Sequence, residues 1–208
     1  MVRSLRMERL VVGISGASGS IYGVRLLQAL RDLPVEVHLV VSEGARRVVR
    51  MEGGADFAEV EMLADQVYSN ADVSATIASG SFRTTGMVVV PCSIKSLSSI
   101  ANSYNDNLLT RAADVTLKEG RKLVLMVRET PLHLGHLRLM TRVAEMGGVI
   151  LPSAPAFYHG PETIEDLVDQ SVGKVLDQFG LEHDLFHRWD GIARTVDEKS
   201  PEDDPAED

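Results

Sequence analysis

Short apolar runs rich in Val, Ile and Leu alternate along this chain with longer stretches in which apolar residues recur every three to four positions. That alternation predicts buried parallel strands separated by amphipathic helices on both faces of one sheet. Strands are expected over residues 9–14, 35–41, 87–91, 123–128 and 149–151, and helices over 20–31, 44–52, 94–104, 108–119 and 134–146. A last helix opens at Pro161 and Glu162, buries Ile164, Leu167, Val168, Val172, Val175, Leu176 and Phe179 along one face, and ends at Gly180. Residues 53–81 are the least patterned, with a short helix expected over 57–65 and a loop after it. No repeat of solenoid length is visible. From Thr195 the sequence TVDEKSPEDDPAED lacks apolar periodicity and reads as a disordered acidic tail, so that residues 1–194 form one domain and 195–208 the tail.

A chain of 208 residues suits one sizeable core, and its 44% hydrophobic and 25% charged content with a mean hydropathy of +0.01 describes a soluble globular protein. The longest apolar runs are far short of a bilayer span. The N-terminal decapeptide carries basic residues, but glycines and serines interrupt it before a signal core develops. A single cysteine, Cys92, excludes an intramolecular disulfide and a multi-cysteine zinc site, which fits a reducing compartment and a cytoplasmic location. The net charge of −9 argues against a nucleic-acid coat or an anionic-membrane binder. Its distribution sharpens the point: the tail contributes −6, leaving residues 1–194 with 23 acids against 20 bases. A nearly balanced body leaves room for a local cluster of Lys118, Arg128 and Lys174.

Three segments place chemistry at the carboxyl ends of predicted strands. The first strand runs into Ser15-Gly16-Ala17-Ser18-Gly19 and then a helix, a turn that is either a tight connection or a cradle of N–H groups for a phosphate. Its glycine spacing is not the dinucleotide fingerprint, and the Walker lysine is missing. A second serine-rich turn, Pro91-Cys92-Ser93-Ile94-Lys95-Ser96, follows another strand, and two such turns on one sheet edge converge on the crevice where open α/β sheets bind ligands. The third strand to do so delivers Arg128 and Glu129, an anion-binding group beside a potential acid or base. Neither His133/His136 nor His183/His187 has a metal-ligand spacing with supporting carboxylates, and no metal is expected. Cys92 has no histidine in its segment and reads as a buried structural thiol, while Met126, Met140 and Met146 read as core filler.

In order along the chain, Gly13-Ile14-Ser15-Gly16-Ala17-Ser18-Gly19, Pro91 to Lys95, Leu109 to Val115, Leu117 to Glu119, Arg128 to Leu132 and Pro155 to Tyr158 resemble the motifs of the UbiX-type flavin prenyltransferases. The similarity spans about residues 8 to 190. It implies an α/β, Rossmann-like flavoprotein fold with a mostly parallel sheet and helices on both faces. It further implies that reduced FMN and dimethylallyl phosphate bind, that the prenyl group is joined to N5 and C6 of the flavin, and that the prenylated FMN serves UbiD-type decarboxylases. A homododecamer built of trimers, with active sites at subunit interfaces, belongs to the same implication.

The resemblance assigns FMN contacts to Gly16, Ala17, Ser18, Ser42, Ser93, Ile94, Lys95, Ser96 and Arg128. It assigns dimethylallyl phosphate contacts to Lys118, Glu129, Tyr158 and Lys174, with Arg111 supplied across a subunit interface, and a catalytic group to Ser18, Glu52, Glu129 and Trp189. The chemistry suits these types: allylic C–O cleavage develops positive charge on the prenyl unit and negative charge on phosphate, asking for a π-surface and for cations. Glu129 suits protonation of the departing phosphate, and Ser18 or Glu52 suits relay of the proton lost from the flavin. Two positions depart from the family: Lys174 stands where an Arg is usual, losing the planar fork, and Glu43 stands where a Lys often follows the FMN serine. FMN-dependent cysteine-type oxidative decarboxylases share the fold, but the early-helix histidine expected of them is missing from residues 45–52. A non-catalytic FMN carrier for a decarboxylase is the other reading of the same residues.

Overall fold

The computed structural model describes residues 8–53 and 56–189; the predicted acidic tail lies outside them. Six parallel strands form one sheet: β1 (Glu8–Ile14), β2 (Val35–Val41), β3 (Gln66–Tyr68), β4 (Gly86–Cys92), β5 (Lys122–Val127) and β6 (Val149–Ile150). Their order is β3-β2-β1-β4-β5-β6, so the chain works outward from β1 to one edge, returns, and works outward from β4 to the other. The helices are α1 (Ser20–Leu30), α2 (Glu43–Glu52), α3 (Phe57–Glu61), α4 (Ile94–Ala101), α5 (Leu108–Lys118), α6 (Leu134–Glu145) and α7 (Ile164–Gln178).

Successive strand residues point to opposite faces, and both faces are covered. Leu10, Val12, Ile14, Val88, Val90, Val124 and Met126 pack with α1 and α7, whereas Val11, Met87, Val89, Leu123 and Leu125 pack with α4, α5 and Val143 of α6. Nearly uninterrupted apolar strands are the consequence of burial on two sides. Gly23 sets the closeness of α1, because a Cβ there would lie 2.7 Å from the Val90 carbonyl oxygen. Arg25 ties α1 to α7 through a bidentate pair with Asp169, at 2.6 and 3.1 Å.

Several predicted boundaries move. Strand β3 lies in the stretch read as a loop: it is a three-residue edge strand, mostly exposed, with no alternating pattern to reveal it. The helix expected over 94–104 stops at Ala101, where Asn102 caps it and donates its side-chain amide to the Ser98 carbonyl, and Ser103 then adopts φ 51°. The helix expected over 57–65 is a single turn and a half ending at Glu61. In α7 a capping box between Thr163 and Asp166 starts the helix two residues after Glu162, which leaves Ile164 exposed rather than on the buried face. Met126 is core as expected, but Met146 is exposed at the end of α6.

Candidate active site

The strand order reverses between β1 and β4, and the two serine-rich turns meet there. Ser15, almost fully buried, joins them: its Oγ donates to the Pro91 carbonyl at 3.0 Å and accepts from the Ser93 N–H at 2.7 Å. Its own N–H reaches the same Pro91 carbonyl at 3.2 Å. This staple lies inside a motif the sequence reading singled out, but the reading gave Ser15 no role. Beyond it opens a cavity of about 500 Å³ lined by Gly16, Ser42, Ser93, Ile94, Lys95, Ser96 and Glu129 of the expected residues, together with Asn70, Ser99, Asn107 and Thr110. Asn107 was legible as a helix cap before an apolar run; Asn70 sits in the unpatterned loop and had no signal.

Three helices begin at this cavity. Ser42 caps α2 by accepting from Ala45 N–H, Ser93 caps α4 by accepting from Ser96 N–H, and Asn107 caps α5 by accepting from Thr110 N–H. Asn70 takes two more α5 amides, those of Leu108 and Leu109. At α4, the Ile94 and Lys95 N–H groups have no acceptor among the described residues. A cavity edged by such donors and helix dipoles favours an anion. The loop carrying Gly16 lies directly on α2: a Cβ on Gly16 would sit 2.9 Å from the backbone of Gly44. Ala17 is buried in the same turn. Glu43 lines the cavity, with a largely exposed carboxylate 3.8 Å from Arg46. Arg128 leaves β5 with its backbone N–H on the Cys92 carbonyl, and its exposed side chain has no ion-pair partner among the described residues. Glu129 accepts from the Thr130 N–H at 2.9 Å.

A second cavity, of about 340 Å³, holds Ser18 and Glu52 with Ile21, Val24 and Val49. Gly19, at φ 98°, begins α1 with no side-chain cap of its own. Glu52 reaches over from the end of α2 and accepts from Gly19 N–H, Ser20 N–H and Ser20 Oγ at 2.8, 2.8 and 2.6 Å. Burial pushes the Glu52 carboxyl up, but hydrogen bonds from Ser20, Gly19 and Ser18 outweigh it and hold the pKa below its ordinary value.

The remaining expected residues line neither cavity. Arg111 donates to the Ala78 carbonyl at 3.2 Å and to Asp114 at 3.1 Å, and Lys118 pairs with Glu119. Lys174 lies 3.2 Å from Asp177. Tyr158 and Trp189, both more than half exposed, meet edge to face at 5.6 Å between ring centroids. One chain thus gathers six of the nine residues expected to contact FMN at one cavity, leaving out Ala17, Ser18 and Arg128, while those expected to contact dimethylallyl phosphate, Glu129 apart, remain dispersed.

An open parallel sheet with helix N-termini and close glycine contacts around its switch-point crevice defines a mononucleotide-binding α/β protein. The Flavoprotein family model matches residues 2–176. Flavin prenyltransferase UbiX of Escherichia coli K12 is 61% identical over 188 residues, which cover 89% of this chain and all of that one. Flavin prenyltransferase UbiX of Thauera aromatica is 60% identical over 183 residues, covering 88% and 94%. The chain belongs to the flavoprotein family and, within it, to the UbiX flavin prenyltransferases. Among solved structures, AnUbiX (PadA1) in complex with FMN and dimethylallyl pyrophosphate superposes with a TM-score of 0.88 at 49% identity, covering 89% of this chain and 99% of that one. A dodecameric FMN-dependent UbiX-like decarboxylase from Escherichia coli O157:H7 gives 0.86 at 52% identity, covering 88% and 100%. A PPC decarboxylase mutant complexed with pantothenoylaminoethenethiol, at 19% identity and TM-score 0.58 over 72% of this chain and 84% of that one, shares the fold alone.

Proposed function

We propose that this chain transfers the dimethylallyl group of dimethylallyl phosphate to reduced FMN: the allylic C–O bond breaks and phosphate leaves as N5 exchanges its hydrogen for the prenyl carbon, and the prenyl double bond, taking up a proton, then forms the second bond to C6, which gives up its own. The observation that carries this reading is the switch-point cavity, lined together by the α4 residues with free amides, by Ser42, Ser93 and Ser96, and by Glu129. The flavin supplies the nucleophilic nitrogen and the aromatic carbon. The amides of Ile94 and Lys95 and the Arg128 guanidinium suit its phosphate, while Gly16 and Ala17 admit close backbone approach. Glu129 lies at the cavity edge and suits proton delivery to the departing phosphate oxygen. Glu52, held as a carboxylate at neutral pH, orders the start of α1 and accepts through Ser18 the proton released from the flavin.

Arg111, Lys118 and Lys174 take the donor phosphate, with Tyr158 and Trp189 against the prenyl unit. Each cation already faces an acid of its own chain, Asp114, Glu119 and Asp177, which fixes its position while its remaining N–H donors are left for the donor phosphate. A homododecamer completes the donor site by bringing such residues across subunit boundaries. Its support is α6, where Leu134 and Leu137 are 59% and 46% exposed and only Val143 is fully buried. The prenylated FMN then passes to a UbiD-type decarboxylase in the cytoplasm; no described helix is long and apolar enough to cross a membrane.

Anaerobic mixing of the protein with reduced FMN and dimethylallyl phosphate tests this reading. A new flavin absorption spectrum is expected in the wild type, and an E129Q variant is expected to bind FMN but turn over about a hundredfold more slowly, at the lower end for a lost general acid. An unaltered flavin spectrum with either dimethylallyl phosphate or the diphosphate would overturn it.

A further inference from the structure

The segment after α7 is fastened to that helix by one carboxylate. Asp177 Oδ1 accepts from Arg188 Nη2 at 2.7 Å and from His183 Nε2 at 3.2 Å, and Oδ2 accepts from Arg188 Nη1 and Lys174 Nζ, each at 3.2 Å. The Leu185 N–H donates to His183 Nδ1, which leaves the proton of a neutral ring on Nε2, where Asp177 Oδ1 and Arg188 Nη2 both lie at 3.2 Å. Burial raises the Asp177 carboxyl, but Arg188 and Lys174 outweigh it and hold the pKa at about 2. One helical turn earlier, Gly173 lets the segment lie flush: a Cβ there would be 2.5 Å from Phe186 and 2.6 Å from His183. Trp189 follows Arg188 directly, and its ring meets Tyr158 edge to face.

We propose that Asp177 is a positioning residue for prenyl transfer: it clasps Arg188 and His183 so that Trp189 is held against Tyr158, and it holds Lys174 in the same grip. The proposal rests on the reading of Tyr158, Lys174 and Trp189 as the donor side of the site. An edge-to-face contact between two half-exposed rings does not by itself order a chain segment, whereas a bidentate guanidinium–carboxylate pair fixes both distance and direction. With Gly173 beneath it, the clasp brings the π-surface to the donor from a segment that contributes nothing to the sheet. The same carboxylate spaces Lys174 from Arg188, so strap and phosphate cation share one anchor.

Trp189 is the chain's one tryptophan, so intrinsic fluorescence reports on it alone. The test compares the full-length wild type with R188Q, which removes the strap's tether and leaves Asp177 and Lys174 paired. Acrylamide should quench Trp189 more readily in R188Q, and KM for dimethylallyl phosphate should rise about fivefold, the upper range for an exposed ion pair, with FMN affinity little changed. D177N should repeat both effects and D177E should restore them; should D177N not fold, R188Q decides. Quenching equal to wild type in R188Q overturns the clasp, and altered quenching with an unmoved KM overturns its role in donor binding. Failure of the wild type to form any prenylated flavin would overturn the underlying reading instead, and is recognisable without any variant.

Discussion

Replacing Ser15 by Ala removes one hydroxyl and two hydrogen bonds at the point where the sheet reverses its order. The Pro91 carbonyl keeps the Ser15 N–H as a donor, but the Ser93 N–H loses its partner at 2.7 Å. Leaving one such donor unpaired near the core costs about 1–3 kcal/mol. For a chain of this size each kcal/mol moves Tm by roughly 2–4 °C, so S15A should melt about 5 °C below wild type. The second consequence is functional. Ser93 begins α4, and the free Ile94 and Lys95 amides follow it, so a loosened Ser93 misplaces the donors proposed for the flavin phosphate. A loss of about 1.4 kcal/mol there is a tenfold weaker Kd for FMN. Thermal melts and fluorescence titration with FMN read the two effects. S15A with wild-type Tm and wild-type FMN affinity would refute the claim that this hydroxyl joins the two loops.

Three further outcomes follow from the same geometry. The folded pKa of Glu52 lies below its unfolded value, so its carboxylate contributes stability above the unfolded pKa and loses it as pH falls through the folded one. The stability gap between wild type and E52Q in urea titrations should therefore be full at pH 7 and shrink below about pH 5. Cys92 is fully buried, and burial pushes its thiol up to about 12, so a thiol-reactive dye at pH 8 should label the unfolded chain and leave the folded one unlabelled. K174R restores the planar fork and should lower KM for dimethylallyl phosphate severalfold in steady-state assays, with FMN affinity unchanged.

The sheet was legible because its strands are buried on both faces, which leaves Val-rich runs with little alternation: β1, β2, β4 and β5 fall within a residue or so of expectation. Strand β3 was not, since an exposed three-residue edge carries no pattern and is recruited by pairing with β2. Helix ends moved where local capping decided, as at Asn102 and at the Thr163–Asp166 box. In the site, the serine turns at 15–19 and 91–96 were visible from composition and from their place after strands. What escaped was relational: Ser15 matters through Pro91 and Ser93, 76 and 78 residues away, and Glu52 through the uncapped start of α1, 32 and 33 residues away. Asp177 gathers two cations and a histidine spread over fifteen residues, and only the fold of the final segment brings them to it.

The measurement that tests the central claim most directly is the mass of the flavin extracted after anaerobic incubation of the protein with reduced FMN and dimethylallyl phosphate. The account predicts FMN carrying one added five-carbon prenyl unit, formed by the wild type and strongly diminished in E129Q. Recovery of unmodified FMN from a protein that has bound both ligands would contradict it.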